Sequence, residues 1–369
     1  MKRFWILLTT EWKAWRHDPI TALGGFIPPL FMLVAFGLLF GGRLTFKVAV
    51  LNHDSGPYGA ALRATFDEVL SPFGTPYYDV FDLPEATAWA DYRAHRIDGV
   101  WVIPPDFSER LTAGQDPKVE MYFSNYNDDR AKNHRLYSAE ILWRFYENVG
   151  QPAPPLALSE VYPRTAMIDW FPVISVGKAL LSFMLGGMMN VFMLTHKEHM
   201  ACVTLEFGLA PRSLTWILLP KTLLALVTGL VTGTGFLAIL YLWLGFWPGR
   251  FLGAVWLLAG LVILFWVPLT LLLGLHTQYF AGAIATILTG LTIFFVGGGL
   301  GLVRSNWDSV PWFSRLFPNV YAVDPLRDLI LFHVWPADWT PTLFGLAGFA
   351  ALSLAVGLNL AARRLRRLG

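Results

Sequence analysis

Ala22-Leu-Gly-Gly-Phe-Ile-Pro-Pro-Leu-Phe-Met-Leu-Val-Ala-Phe-Gly-Leu-Leu-Phe-Gly41 is the first of several nearly charge-free apolar runs, and a long polar stretch follows it. A bilayer core takes about 20 apolar helical residues to cross. Five more runs of that kind come after the polar stretch, at approximately Trp170–Thr195, Trp216–Gly245, Gly253–Leu275, Ala283–Leu302 and Pro341–Ala362. The pattern predicts a membrane α-helical protein with six transmembrane helices and one domain inserted after the first. The expected organisation is an interfacial amphipathic helix over 1–19, transmembrane helix 1 over 20–42, an α/β domain over 43–168, and transmembrane helices 2–6 over 169–369.

Composition agrees with this reading. The 369 residues are 55% hydrophobic and only 15% charged, and the mean hydropathy is +0.48. That balance excludes an ordinary soluble globule and a disordered chain. The net charge of +2 hides a clustering of basic residues at the two ends. No basic patch interleaves with aromatics away from the membrane segments, so nucleic acid is not an expected partner. The single cysteine, Cys202, excludes an intrachain disulfide and a cysteine-rich metal site. The first run is longer than a signal-peptide core, carries Pro28-Pro29, and has no small-x-small cleavage site, so it reads as an uncleaved span.

Ahead of it, Trp5, Leu8, Trp12 and Trp15 recur at helical spacing, flanked by Lys2, Arg3, Lys13 and Arg16. This is the pattern of a helix lying in the membrane interface, in contact with lipid. Within the polar stretch, Phe46–Leu51 and Gly99–Ile103 are valine-containing apolar runs that read as buried strands. Tyr77–Phe81 is a weaker strand candidate, and Val119–Phe123 alternates. Gly59–Leu70, Pro84–His95 and Asp129–Val149 have helical spacing, and strands alternating with helices predict a small sheet with crossovers. Gln151-Pro-Ala-Pro-Pro155 reads as a stiff connector.

Lysine and arginine in the short loops set orientation. With the N-terminus inside, the cytoplasmic segments carry Lys2, Arg3, Lys13, Arg16, Lys197, Arg212, Lys221, Arg363, Arg364, Arg366 and Arg367. The outer segments carry Arg250, Arg304, Arg315 and Arg327. Both termini are therefore expected in the cytoplasm and 43–168 outside.

Familiar catalytic patterns are missing. There is no GxxxxGK[ST] loop, no HExxH and no GxSxG elbow. His196 and His199 lack a third ligand, so no metal site is expected. Asp54-Ser55 and Asp128-Asp129 read as turn and cap residues. Lys178 is the one charge well inside a span, and it is a candidate for the substrate pathway or a lysine that snorkels to the interface. Gly229-x-x-x-Gly233, Gly186-Gly187 and Gly297–Gly299 read as close-packing positions. The segment 196–214 is longer than a hairpin needs, and reads either as a loop or as a helix presented to a partner.

Four stretches carry a resemblance. Glu11-Trp12-Lys13 is followed by Arg16-His17-Asp18-Pro19 and Pro28-Pro29. Ile103-Pro-Pro-Asp-Phe107 lies in the polar stretch. Thr204-Leu205-Glu206 precedes Pro211. Val310-Pro-Trp-Phe313, Phe317-Pro-Asn319 and Asp324-Pro-Leu-Arg327 lie between the last two runs. In order and spacing these resemble the permease subunit of an ABC-2 type (type V) ABC transporter with a large extracytoplasmic domain between helices 1 and 2. The chain departs from the family pattern at Val203, where a glycine is usual, and in the diluted charge of His196–Cys202.

The resemblance implies a non-enzymatic permease of an ATP-driven exporter for a hydrophobic or amphipathic substrate. Its site would be bacterial, a multi-pass protein of the cytoplasmic (inner) membrane. It implies no cofactor in this chain, with ATP and Mg held by a separate ABC ATPase. It further implies a homodimer or a paralogous permease, and it allows a periplasmic adaptor. ATPase coupling would fall on Lys197, Glu198, Thr204, Leu205, Glu206 and Pro211, and on Glu11, Trp12, Arg16 and Asp18 of the interfacial helix. The alternative of another class is a membrane-anchored surface receptor or envelope-assembly protein without transport.

Overall fold

A computed structural model describes residues 2–40, 45–71, 74–94, 96–115, 117–123, 128–150, 168, 170–208, 214–276, 278–300, 303 and 312–368. The chain divides into two compact units, one formed by Met1–Gly41 with Ile168–Gly369 and the other by Gly42–Met167.

The first unit opens with α1 (Lys2–Arg16), α2 (Pro19–Gly24) and α3 (Ile27–Phe40). The first apolar run is thus not one continuous helix. It breaks at Gly25-Phe26, and Pro28-Pro29 fall in the first turn of α3, where a missing N–H costs no helical bond. The break also brings backbone against backbone, since a Cβ on Gly25 would lie 2.6 Å from Gly186 Cα. Fourteen residues make α3 about 21 Å long, short of a core about 30 Å thick.

The second unit contains β1 (Phe46–Asn52), α4 (Pro57–Glu68), β2 (Tyr78–Phe81), α5 (Glu85–Arg93), β3 (Gly99–Ile103), α6 (Phe107–Thr112), β4 (Glu120–Phe123) and α7 (Asp128–Asn148). The sheet order is β2-β1-β3-β4. β1 pairs in parallel with β2 and β3, and β4 runs antiparallel to β3. Alternate residues of β1 face opposite layers. Phe46, Val48 and Val50 join Phe66, Tyr78, Trp101, Ile103, Phe107, Ile141 and Phe145, whereas Ala49 and Leu51 join Ala88, Ile97 and Val100. Both faces are covered, which is why β3 and the Val48–Leu51 part of β1 read as apolar runs, with Lys47 of β1 exposed. Their expected adjacency is found, with Val48 opposite Gly99 and Leu51 opposite Val102. Val102 is only half-buried, because it faces the thinner α5 layer. The connector at 151–155 lies outside the described residues.

The first unit resumes with α8 (Trp170–Met200), α9 (Val203–Gly208), α10 (Leu214–Leu244), α11 (Leu252–His276), α12 (Tyr279–Val296), α13 (Asn319–Arg327), a π turn at Asp328–Phe332 and α14 (Trp339–Leu368). Among the described residues five helices are long and apolar enough to cross a membrane: α8, α10, α11 with its leading turn, α12 and α14. α8 is the axis, buried from Phe171 to His196 almost without interruption. Small residues let it do so. A Cβ on Gly186 would meet Thr232 at 2.5 Å, and one on Gly233 would meet the Phe183 ring at 2.1 Å.

α12 ends at Val296, short of the expected Leu302. Gly298 is left-handed at φ +84°, a conformation that favours glycine. Further along, α13 is buried along almost its whole length. Arg327, counted above as an outer-loop charge, is therefore interior.

Candidate functional site

Two groups of buried charge stand out in the membrane unit. The first joins the N-terminal helix to the α8–α10 junction. α1 packs along α10, with Glu11 on its buried face. Lys221 Nζ donates to Glu11 Oε1 and to Glu198 Oε1, each at 2.5 Å. Lys221 is 2% exposed and Glu11 8%. The remaining carboxylate oxygens, Glu11 Oε2 and Glu198 Oε2, are buried without a hydrogen-bond partner among the described residues. Nearby, Trp15 Nε1 donates to Asn190 Oδ1 at 2.7 Å, and Lys197 pairs with Asp18. Asp18 also accepts from the Thr21 hydroxyl and caps α2 through the Thr21 N–H. Burial raises the Asp18 pKa, but the Lys197 and Thr21 bonds outweigh it and hold the carboxyl below its usual range.

The residues expected at the coupling site thus separate. Glu11 and Glu198 meet at Lys221, tying α1 to α8 and α10, and Asp18 and Lys197 form a separate pair between the start of α2 and α8. Glu198 accepts from Lys221 within the chain. Glu206 is exposed on α9, and Trp12 and Arg16 are exposed on α1. Thr204 and Leu205 belong to the α9 backbone, and their side chains are outside the described residues, as is Pro211. α8 turns into α9 through Cys202, held left-handed at φ 61° and exposed. Lys221 was missed as a site residue. Its signal is a lysine in the first third of an apolar helix, read only as a topological charge.

The second group closes the other end of α12. Arg327 Nη1 donates to Asp324 Oδ1 at 2.8 Å, Nη2 to the carbonyls of Gly298 at 2.8 Å and Gly299 at 3.3 Å, and Nε to the Val173 carbonyl at 3.1 Å. Asp324 Oδ1 accepts from Val303 N–H as well. The planar guanidinium fork thereby binds α8, the glycine turn and α13 together. The Asp324-Pro-Leu-Arg327 stretch is a structural clamp.

Lys178 stands apart from both. Its side chain is fully buried, and Nζ makes no hydrogen bond to a described residue. It lies 4.4 Å from the Phe36 ring centre and 4.8 Å from that of Phe171. It does not reach a surface, so the snorkelling expectation is not met. A lysine placed at a helix centre costs about 2.5–3.5 kcal/mol on insertion scales, and the two ring faces offset part of that.

In the α/β unit, Ile103-Pro-Pro-Asp-Phe107 proves to be scaffolding. Phe107 is a core residue, and the next residue, Ser108, meets Asp54. Asp54 accepts from Gly59 N–H at 3.0 Å, Ser108 N–H at 3.2 Å and the Ser108 hydroxyl at 2.5 Å. Ser108 Oγ accepts in turn from Tyr58 N–H at 3.0 Å. The start of α4 is capped across the sheet.

The model of the ABC-2 family transporter protein matches residues 23–359. The chain belongs to the ABC-2 transporter family. As an ABC-2 family member it is a multi-pass membrane transport component of permease type, a family that is generally non-catalytic and works with an ABC ATPase. No curated protein and no solved structure matches it.

Proposed function

We propose that this chain is the membrane-spanning permease of an ATP-driven exporter, moving a hydrophobic or amphipathic substrate out of the cytoplasm or the inner leaflet. ATP and Mg belong to a separate ATPase that docks on the α9 side through Glu206 and the neighbouring 209–214 segment. The protein sits in a bacterial cytoplasmic membrane with both termini inside, the α/β unit outside and α3 completing the first of six spans. It works as a homodimer or with a paralogous permease, and a periplasmic adaptor fits the same arrangement.

The observation that supports this reading best is the Glu11–Lys221–Glu198 knot. A movement imposed at α9 passes along α8 to Glu198, and through Lys221 to α1 and α10 together. A receptor or assembly protein has no need of such a rigid joint at the foot of its helices.

Purification from native membranes should yield a bound ABC ATPase, and Glu206→Lys should weaken that association while the permease stays folded. Recovery of the chain with no ATPase would favour the receptor reading. Orientation is checked separately with Cys202, the natural single cysteine. An impermeant thiol reagent added outside should label a Ser55→Cys variant and leave Cys202 untouched.

A further inference from the structure

Glu198 is the only carboxylate within the five candidate spans, and it is engaged by Lys221. Lys178 is buried in the same helix without a hydrogen-bond partner among the described residues, and a protonated lysine has three N–H donors to satisfy. Ring faces attract the cation but accept no strong hydrogen bond. A lysine amine kept out of water in this way either gives up its proton or takes an anion as partner, and none of the described residues supplies an anion.

What covers the amine is a thin wall. α3 follows the break at Gly25-Phe26 and packs on α8. Phe36 lies over the amine from one side. At the next residue, Gly37, an added Cβ would lie 2.4 Å from the Trp243 ring. The opposite face of α3 is exposed and apolar at Ile27, Phe31, Val34 and Leu38. Phe36 and α3 thus stand between Lys178 and the apolar medium, with Phe171 on the other side of the amine.

We infer that Lys178 is an anion-binding residue for an amphiphile: it takes a phosphate or carboxylate headgroup, while Phe36 and Phe171 receive the adjoining apolar chain. Cationic amphiphiles are repelled at this position, and neutral ones leave the ammonium unpaired. The inference rests on the permease reading for its biological meaning, since it names the substrate class, but binding itself can be tested without transport.

The test uses the full chain in dodecyl maltoside micelles, with the melting midpoint followed by size-exclusion chromatography after heating. Dodecyl phosphate, dodecyltrimethylammonium and inorganic phosphate are added in turn to wild type, Lys178→Met and Lys178→Arg. Dodecyl phosphate should raise the wild-type midpoint by about 3 °C or more at saturation, with neither other probe doing so. Lys178→Met should lose that rise, and Lys178→Arg should keep most of it.

An equal rise in wild type and Lys178→Met would overturn the assignment, as would a rise with dodecyltrimethylammonium of the same size. Inorganic phosphate matching dodecyl phosphate would remove the amphiphile from the proposal and so reject it. Should Lys178→Met fail to fold, Lys178→Gln replaces it, and the wild-type comparison of the three probes still decides. Anion-specific stabilisation in a chain that purifies without any ATPase would keep the site and discard the exporter.

Discussion

The two units of this chain treat charge in opposite ways. In the α/β unit the buried carboxylate of Asp54 is surrounded by N–H and O–H donors a few residues from the strand ends, and the arginine pairs lie at the surface. In the membrane unit Lys221 joins residues 210 and 23 positions away, and Arg327 gathers carbonyls from α8 and the end of α12. Water is the reason. A partly wet unit can leave ion pairs to solvent, where each contributes little. A unit meant for lipid has little water to solvate its charges, so Lys221 and Arg327 become joints between segments, and Lys178 is the exception without a partner among the described residues.

The comparison breaks first at Lys221. Lys221→Met leaves the Glu11 and Glu198 carboxylates buried together without a cation, which should cost about 3–5 kcal/mol. The expected readout is a sharp fall in the melting midpoint of the purified chain and a protease-sensitive α1. A triple variant, Lys221→Met with Glu11→Gln and Glu198→Gln, should recover most of the loss, because no charge is then stranded. If the single variant melts like wild type, the knot carries no weight and the contrast between the units fails.

The sequence was most legible where local pattern decides structure. β1 and β3 announced themselves as short apolar runs because both of their faces are covered, and the long apolar helices announced themselves by length. The motifs carry the likeness to the family that the match over residues 23–359 shows. What could not be read was pairing at a distance. Nothing in Glu11-Trp12-Lys13 says that Glu11 turns inward while Trp12 stays exposed, and nothing near Lys221 names its two partners. The break in the first apolar run depends on Gly25 meeting Gly186, a contact between segments far apart in the chain. Arg327 looked like a loop charge because its neighbours include proline and aspartate, yet those residues build a buried helix. Thr204, Leu205 and Pro211 remain expectations drawn from resemblance.

A medium effect is expected at Asp54, and it sharpens the contrast through pH. Burial raises its pKa, but the Ser108 hydroxyl, Ser108 N–H and Gly59 N–H lower it further, so the folded value lies below the ordinary 3.8. A depressed carboxyl contributes stability that is full above the unfolded value and fades as pH falls through the folded one. Asp54→Asn should therefore lower hydrogen-exchange protection of β1 and β3 by about 1–3 kcal/mol at neutral pH. The gap between variant and wild type should narrow below pH 3.8. A gap independent of pH would mean that shape, rather than charge, holds the loop.

The smallest effect belongs to Arg63. Its guanidinium grips Asp82 through Nε at 2.9 Å and Nη2 at 3.1 Å, and reaches Asp67 through Nη1 at 2.9 Å. Geometry alone would rank this pair with Lys221 and its carboxylates. Exposure ranks it far lower, since the Asp82 side chain is 74% exposed, and water competes for both partners. Arg63 beside Asp82 holds that carboxyl below its usual range, with burial opposing, but screening shrinks what this contributes to folding. Asp82→Asn should cost about 0.2–1 kcal/mol in exchange protection of α4 and the end of β2. At 1 M salt, where the screening length is about 3 Å, the cost should nearly vanish. The loss in Lys221→Met should persist under the same salt, because ions do not enter a packed helix junction. Equal salt sensitivity of the two variants would show that the junction around Lys221 is as wet as the surface of the α/β unit.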